Sequence, residues 1–139
     1  RYRRCLMLEN EIKALLKDSP YHCNYTERDI ERNILSAVRF DKCLLSYNEG
    51  KLVGFLSWAF LPDHRVDGYL NKTRKLKATD FMGNTGDLWF IDFIAPYGNV
   101  RQVIRGFQAE FQKRYPDIKF GKMFRRAKGY DARVIVRTK

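Results

Sequence analysis

Leu88-Trp89-Phe90-Ile91-Asp92-Phe93-Ile94-Ala95 is the most apolar stretch of this chain, and it contains a single charge. A run of this length, rich in aromatic and β-branched residues, reads as a buried central strand. An ionised carboxylate buried without a partner is costly, so such a group is paired, neutralised or put to use. Strict alternation along the strand sets Leu88, Phe90, Asp92 and Ile94 on one face.

The elements around this strand follow from spacing and turn chemistry. Residues 5–17 place Cys5, Leu8, Ile12, Leu15 and Leu16 at helical intervals. Pro20 ends that helix and leaves Asp18-Ser19-Pro20-Tyr21-His22 as a loop. Thr26, with Asp29 three residues on, predicts a capping-box start to a second helix, with Ile30, Ile34, Ala37 and Val38 facing inward. Cys43–Tyr47 and Leu52–Phe60 read as strands joined by the turn Asn48-Glu49-Gly50. Asp63 is expected to cap a short helix reaching Leu70, and residues 71–86 read as loop. After the central strand, Asn99 is expected to cap a helix with the stripe Val100, Val103, Ile104, Phe107, Phe111 and Tyr115, closed by Pro116. Ile118–Phe124 and Arg133–Arg137 complete the order α-α-β-β-α-β-α-β-β. This is a single mixed α/β layer architecture, with a helix crossing over after the central strand.

The chain has 139 residues, which suits one domain with one core, and 45% of them are hydrophobic, enough for a packed interior. No apolar run approaches a membrane span, and none near the start resembles a signal peptide. The chain begins at Arg1 rather than Met, so a leading segment is expected before it. Cys5, Cys23 and Cys43 are an odd count without C-x-x-C spacing, which points to a reducing cytoplasm rather than a disulfide framework. His22 and His64 share no metal-ligand spacing with them, so no metal site is expected. The net charge is +11, and nine of those charges fall in residues 101–139, where twelve Lys and Arg face Glu110, Asp117 and Asp131. Such a face attracts an acidic partner or simply keeps the domain solvated.

Asp92 has two uses open to it. It can tie down a loop amide or an arginine, the commoner fate of a buried carboxylate. It can instead orient an imidazole and stabilise its charged form. His22, in its short loop, reads alone as a surface histidine. Paired with Asp92, it has a ring nitrogen left to act as base or nucleophile. Cys23 reads as a passive thiol, since chain neighbours usually point apart. His64 is expected to be exposed. Asn33 lies beside the buried stripe of the second helix, where it is either solvated or positioned to donate toward an oxyanion. No phosphate-binding loop of the G-x-x-x-x-G-K-[ST] or G-x-G-x-x-G kind occurs.

The segment from Gly86 through Gly98, Gly-Asp-Leu-Trp-Phe-Ile-Asp-Phe-Ile-Ala-Pro-Tyr-Gly, resembles the G-D-x-x-W-F-I-D-W-I-A-P-F-G signature of RTX toxin-activating lysine acyltransferases, with one residue fewer between Asp87 and Trp89. The segment from Asp18 to Tyr25 is similar to that family's S-P-x-H-x-x-W/Y segment. Residues 33–39 are similar to its I-N-x-L-P-A-I-R helix, and Ser57-Trp58-Ala59 to its S-W-A strand. The resemblance implies a fold like that of the GNAT acetyltransferases, a mixed sheet flanked by helices, with residues 1–139 forming one lysine-acyltransferase domain. It implies fatty acyl transfer from acyl-acyl carrier protein to internal lysines of an RTX protoxin, in the bacterial cytoplasm, with no tightly bound cofactor. Members of the family also form homodimers. The family's catalytic histidine and aspartate correspond to His22 and Asp92, its helix asparagine to Asn33, and the serine near its histidine to Ser19. The turn Ala95–Asn99 has one glycine where coenzyme A enzymes of that fold carry two. Tyr25 stands where the family usually has an indole, Cys23 where it has a basic residue, and Ser36 where it has proline.

Acyl carrier proteins are acidic, so the basic C-terminal third, with Arg125, Arg126 and Lys128, is the expected docking face. Two rival readings share the composition. A nucleic-acid-binding module would use the same arginines with Phe120, Phe124 and Tyr130, but no binding motif accompanies them. A coenzyme A-dependent transferase of small acyl groups is the other, weakened by the single-glycine turn.

Overall fold

The computed structural model describes residues 2–70, 75–127 and 130–138, with side chains over 7–68, 75–123 and 136–138. Helix α1 (Tyr2–Lys17) leads into the loop that carries His22. Next, α2 (Glu27–Asp29), a π-helical segment (Ile30–Leu35) and α3 (Ser36–Arg39) run on as one helix. Then come β1 (Cys43–Asn48), β2 (Lys51–Leu61), α4 (Asp63–Leu70), a 3-10 turn (Ala78–Phe81), β3 (Asp87–Ile94), α5 (Val100–Arg114), β4 (Phe120–Ala127) and β5 (Tyr130–Arg137). The five strands lie side by side in chain order. Neighbours are antiparallel except β3 and β4, which run parallel because α5 crosses between them. This is the mixed sheet flanked by helices expected from the sequence.

Local chemistry accounts for the joints. The Thr26 hydroxyl accepts from the Asp29 amide at 3.1 Å, and the Asp29 carboxylate accepts from the Thr26 amide at 3.0 Å, closing the expected capping box. Glu49 and Gly50 both have positive φ (52° and 78°), the backbone of a tight two-residue hairpin turn. Gly86 is required outright: at φ 101°, a Cβ there would stand 2.3 Å from the Leu61 carbonyl oxygen. At Ser36 both the backbone N–H and the hydroxyl donate to Glu31 O and close the π-helical segment.

Three expected details differ. Asn99 takes the cap position of α5 in the left-handed region (φ 54°, ψ 32°), and its side chain makes no capping bond. Asn tolerates that conformation, so backbone shape rather than a side-chain acceptor starts the helix. Asp63 is the first residue of α4, and it is the Pro62 carbonyl that accepts from the Arg65 and Val66 amides. The buried stripe of α5 narrows to Val103, Phe107 and Phe111, while Val100 in the first turn and Ile104 at the margin stay exposed. Cys5 falls outside the described side chains.

The sheet divides the interior in two. Leu56, Trp58, Phe60, Leu88 and Phe90 meet Val103, Phe107 and Phe111 of α5. Phe55, Ala59, Leu61, Trp89, Ile91 and Ile94 meet Ile12, Leu15 and Leu16 of α1 and Ile30, Ile34 and Ala37 of the second helix. Each fully buried large side chain stabilises the fold by roughly 1.5–3 kcal/mol relative to exposure. Among the described residues no helix is long and apolar enough to cross a membrane.

Arg65 forks onto Asp80, Nε to Oδ1 at 2.8 Å and Nη2 to Oδ2 at 2.6 Å, and the Lys77 amide donates to Oδ2 at 2.7 Å. Burial pushes the Asp80 carboxyl up, but these donors outweigh it and hold it below the ordinary carboxylate value. A carboxyl lowered by folding adds stability above its unfolded pKa and loses it as pH falls through the folded value. Asp80→Asn is therefore expected to cost about 1–3 kcal/mol at neutral pH. The gap to the parent should close as pH falls below the ordinary carboxylate range, as urea unfolding at stepped pH would show.

Candidate active site

The loop after α1 is wound into successive turns. Ser19 N–H donates to Leu16 O, the His22 and Cys23 amides donate to Ser19 O, and Tyr25 N–H donates to His22 O, all between 2.9 and 3.1 Å. These bonds seat Ser19 in the interior, at 5% exposure, and turn the His22 ring inward toward β3. The Ser19 hydroxyl lies 2.7 Å from His22 Nδ1. His22 Nε2 lies 3.3 Å from Asp92 Oδ1, with both side chains largely buried. The Tyr97 hydroxyl, just past β3, donates to Asp18 Oδ2 at 2.5 Å and ties the loop down from its other end.

Asp92 reaches His22 because β3 breaks alternation. Ser57 pairs with Asp92, but Trp58 pairs with Phe90, so Ile91 is an extra residue in the ladder. This β-bulge reverses the phase of the strand. Leu88 and Phe90 face α5, whereas Asp92 and Ile94 face α1 and the second helix, correcting the single face expected from strict alternation. The physical reason is the contrast between the faces. The α5 side around this stretch is hydrocarbon and aromatic rings, while the other side holds His22, Tyr25 and Ser57. The fully buried Ser57 accepts from the Asp92 amide at 3.1 Å, so the bulged backbone keeps its hydrogen bond.

The result is a relay, Ser19–His22–Asp92. A carboxylate can only accept, so Nε2 carries the imidazole proton and Nδ1 presents a lone pair to the Ser19 hydroxyl. A ring held this way can take a proton at Nδ1 while the carboxylate stabilises the resulting charge. Asp92 Oδ1 also accepts from the Tyr25 phenol at 2.6 Å, and the Tyr25 ring meets His22 edge-on at 5.3 Å. Asp92 Oδ2 is buried and meets no donor among the described residues.

Other candidates fall elsewhere. Asn33 sits half-buried on the π-helical segment; its Oδ1 is buried without a donor, and no described bond joins it to Ser19, His22 or Asp92. Cys23 is exposed, and its thiol contacts Pro20 O and Asn24 rather than the imidazole. Burial pushes the Cys43 thiol up to about 12, which leaves it inert. His64 is exposed. Among the described residues no cluster of His, Cys, Asp and Glu is arranged to hold a metal ion. Arg125, Arg126 and Lys128 lie outside the residues whose side chains are described. Sequence reasoning missed Tyr25, Ser57 and Tyr97 as parts of the site. Nothing in the spacing marks Tyr97, and Tyr25 and Ser57 show only as members of motifs.

A family model described as the RTX toxin acyltransferase family matches residues 7–137. The chain is similar to the RTX-II toxin-activating lysine-acyltransferase of Actinobacillus pleuropneumoniae, 30% identical over 113 residues that cover 76% of this chain and 69% of that protein. It is similar to the leukotoxin-activating lysine-acyltransferase of Aggregatibacter actinomycetemcomitans, 35% identical over 89 residues, 63% of this chain and 52% of that protein. A protein-lysine myristoyltransferase of Escherichia coli is 31% identical over 113 residues, 81% of this chain and 62% of that protein. The chain thus spans between half and just over two thirds of the length of these relatives.

Ser57→Ala leaves the Asp92 amide buried without its acceptor, an expected loss of about 1–3 kcal/mol in urea unfolding. Deletion of Ile91 should remove the bulge and leave Asp92 next after Phe90, so that plain alternation keeps it on the His22 side. A structure of that variant with Asp92 turned to the α5 face would refute the role given to the bulge.

Proposed function

The chain belongs to the RTX toxin acyltransferase family, and on that premise we propose that it moves a fatty acyl group from acyl-acyl carrier protein to internal lysines of an RTX protoxin in the bacterial cytoplasm. The observation that carries the reading is the relay Ser19–His22–Asp92, whose members are the ones the motif resemblance assigns to the family's serine, histidine and aspartate. Relatives named as lysine-acyltransferases and a protein-lysine myristoyltransferase support the acceptor and the acyl class.

In this reading the acceptor amine is the difficulty. A free lysine has a pKa near ~10.4 and is protonated at neutral pH, so a base is needed. His22 is that base. The ammonium first loses one proton to solvent; the neutral amine then replaces the Ser19 hydroxyl at Nδ1 and gives a second proton to the ring as its nitrogen attacks the thioester carbonyl. A C–N bond forms, the C–S bond breaks, and the proton passes from the imidazolium to the departing thiolate. Asp92 holds the ring by Nε2 and offsets its positive charge while it carries the proton. Asn33 is assigned a supporting role, as an amide for the oxyanion of the tetrahedral intermediate.

The donor meets the chain through its basic C-terminal third. Acyl carrier protein is acidic, and complementary charge speeds encounter and sets register. An acyl group on a carrier protein's phosphopantetheine brings no nucleotide pyrophosphate, unlike one on coenzyme A, in keeping with the single-glycine turn after β3.

Co-expression with a candidate protoxin, followed by mass spectrometry of its lysines, is expected to show fatty acylation that His22→Ala and Asp92→Ala abolish. Acylation persisting in both variants would sink the mechanism. Charge reversal at Arg125, Arg126 and Lys128 should raise the apparent KM for acyl-acyl carrier protein by roughly tenfold or more at low salt with kcat little changed. Unchanged kinetics would place docking elsewhere.

A further inference from the structure

We propose that the Tyr25 phenol fixes the rotation of the Asp92 carboxylate, and through it the tautomer and seat of His22, so that Tyr25 is a positioning residue of the site. The proposal rests on the acyl-transfer reading only for its kinetic consequence.

The side-chain bonds of Asp92 converge on one oxygen. Oδ1 accepts from Tyr25 at 2.6 Å and lies 3.3 Å from His22 Nε2, while Oδ2 meets no donor among the described residues. The Ser57 hydroxyl pins the Asp92 backbone but leaves the carboxylate free to turn about its own bond. Of the contacts that restrain that turn, the short phenol bond is the stronger, since an O–H donor to a carboxylate is charge-assisted. Tyr25 is itself held firmly. Its amide donates to His22 O at 3.1 Å, its ring packs against the core beneath α1, and the next residue, Thr26, closes the capping box of the second helix. The same ring lies edge-on to His22. One side chain therefore touches both members of the dyad and carries the rigidity of a helix start into them. An aromatic ring with a polar donor at its rim is what the position requires.

The test uses the full chain with acyl-acyl carrier protein as donor and a protoxin as acceptor, alongside ¹⁵N NMR of the His22 ring. Tyr25→Phe keeps the ring and removes the donor. Its kcat is expected to fall by roughly tenfold to a hundredfold, with KM for the donor within about twofold. The ring signal should move away from the Nε2–H form. Tyr25→Trp, which restores a donor, should recover part of kcat and the Nε2–H signal. The proposal is overturned if Tyr25→Phe leaves kcat within about twofold of the parent, if the loss appears in KM instead, or if the His22 signals do not move. A Tyr25→Phe chain that no longer folds would also overturn it, by making the phenol a stabilising group. If the parent itself transfers no acyl group, the functional reading fails, and the NMR measurement still decides the role of Tyr25.

Discussion

A carboxylate enclosed by an apolar sheet must find its hydrogen-bond donors inside the fold, and Asp92 finds them on one side only. The α5 face of the sheet is lined by Trp58, Phe60, Leu88, Phe90, Phe107 and Phe111 around this stretch. The opposite face supplies the Tyr25 phenol and the His22 imidazole. The extra residue at Ile91 lets the strand change sides, and Ser57 satisfies the backbone amide that the change displaces. Loop, bulge and helix start are thus arranged around one charge.

The same bulge marks a change in the sheet. Strand β3 pairs with β4 at Trp89↔Lys122 and Phe90↔Met123, just before Ile91. Past the bulge, β3 remains paired with β2 through Asp92, Phe93 and Ile94. The half of the strand that carries Asp92 is therefore held from one side by hydrogen bonds and from above by the loop that Tyr97 and Tyr25 tie down. A site built on a strand and braced by side chains from a helix start is more rigid than one built on a loop alone.

Much of the architecture was legible in the chain. The capping box at Thr26, the tight turn at Glu49-Gly50, the proline stop after α1 and the apolar run of β3 are local signals, and each sits where its spacing says. Details that depend on packing were not. The exposure of Val100 and Ile104, the left-handed Asn99 and the π winding at Asn33 follow from how elements meet, which a periodicity does not record. The candidate site divides the same way. His22, Asp92 and Ser19 stood out through their motifs, whereas Tyr25 and Ser57 drew their meaning only from the atoms they touch.

By itself the sequence determined that a carboxylate would lie in the core strand, that a histidine would lie in a short loop after a proline-terminated helix, and that the C-terminal third would be basic. These are matters of composition and near-neighbour geometry. Only the tertiary structure decided that the two groups meet. Strict alternation would have sent Asp92 to the other side of the sheet, among aromatic rings. One inserted residue shifts every later side chain to the opposite face, and whether a strand bulges is settled by the hydrogen bonds and burial available on each side, not by the strand's own residues.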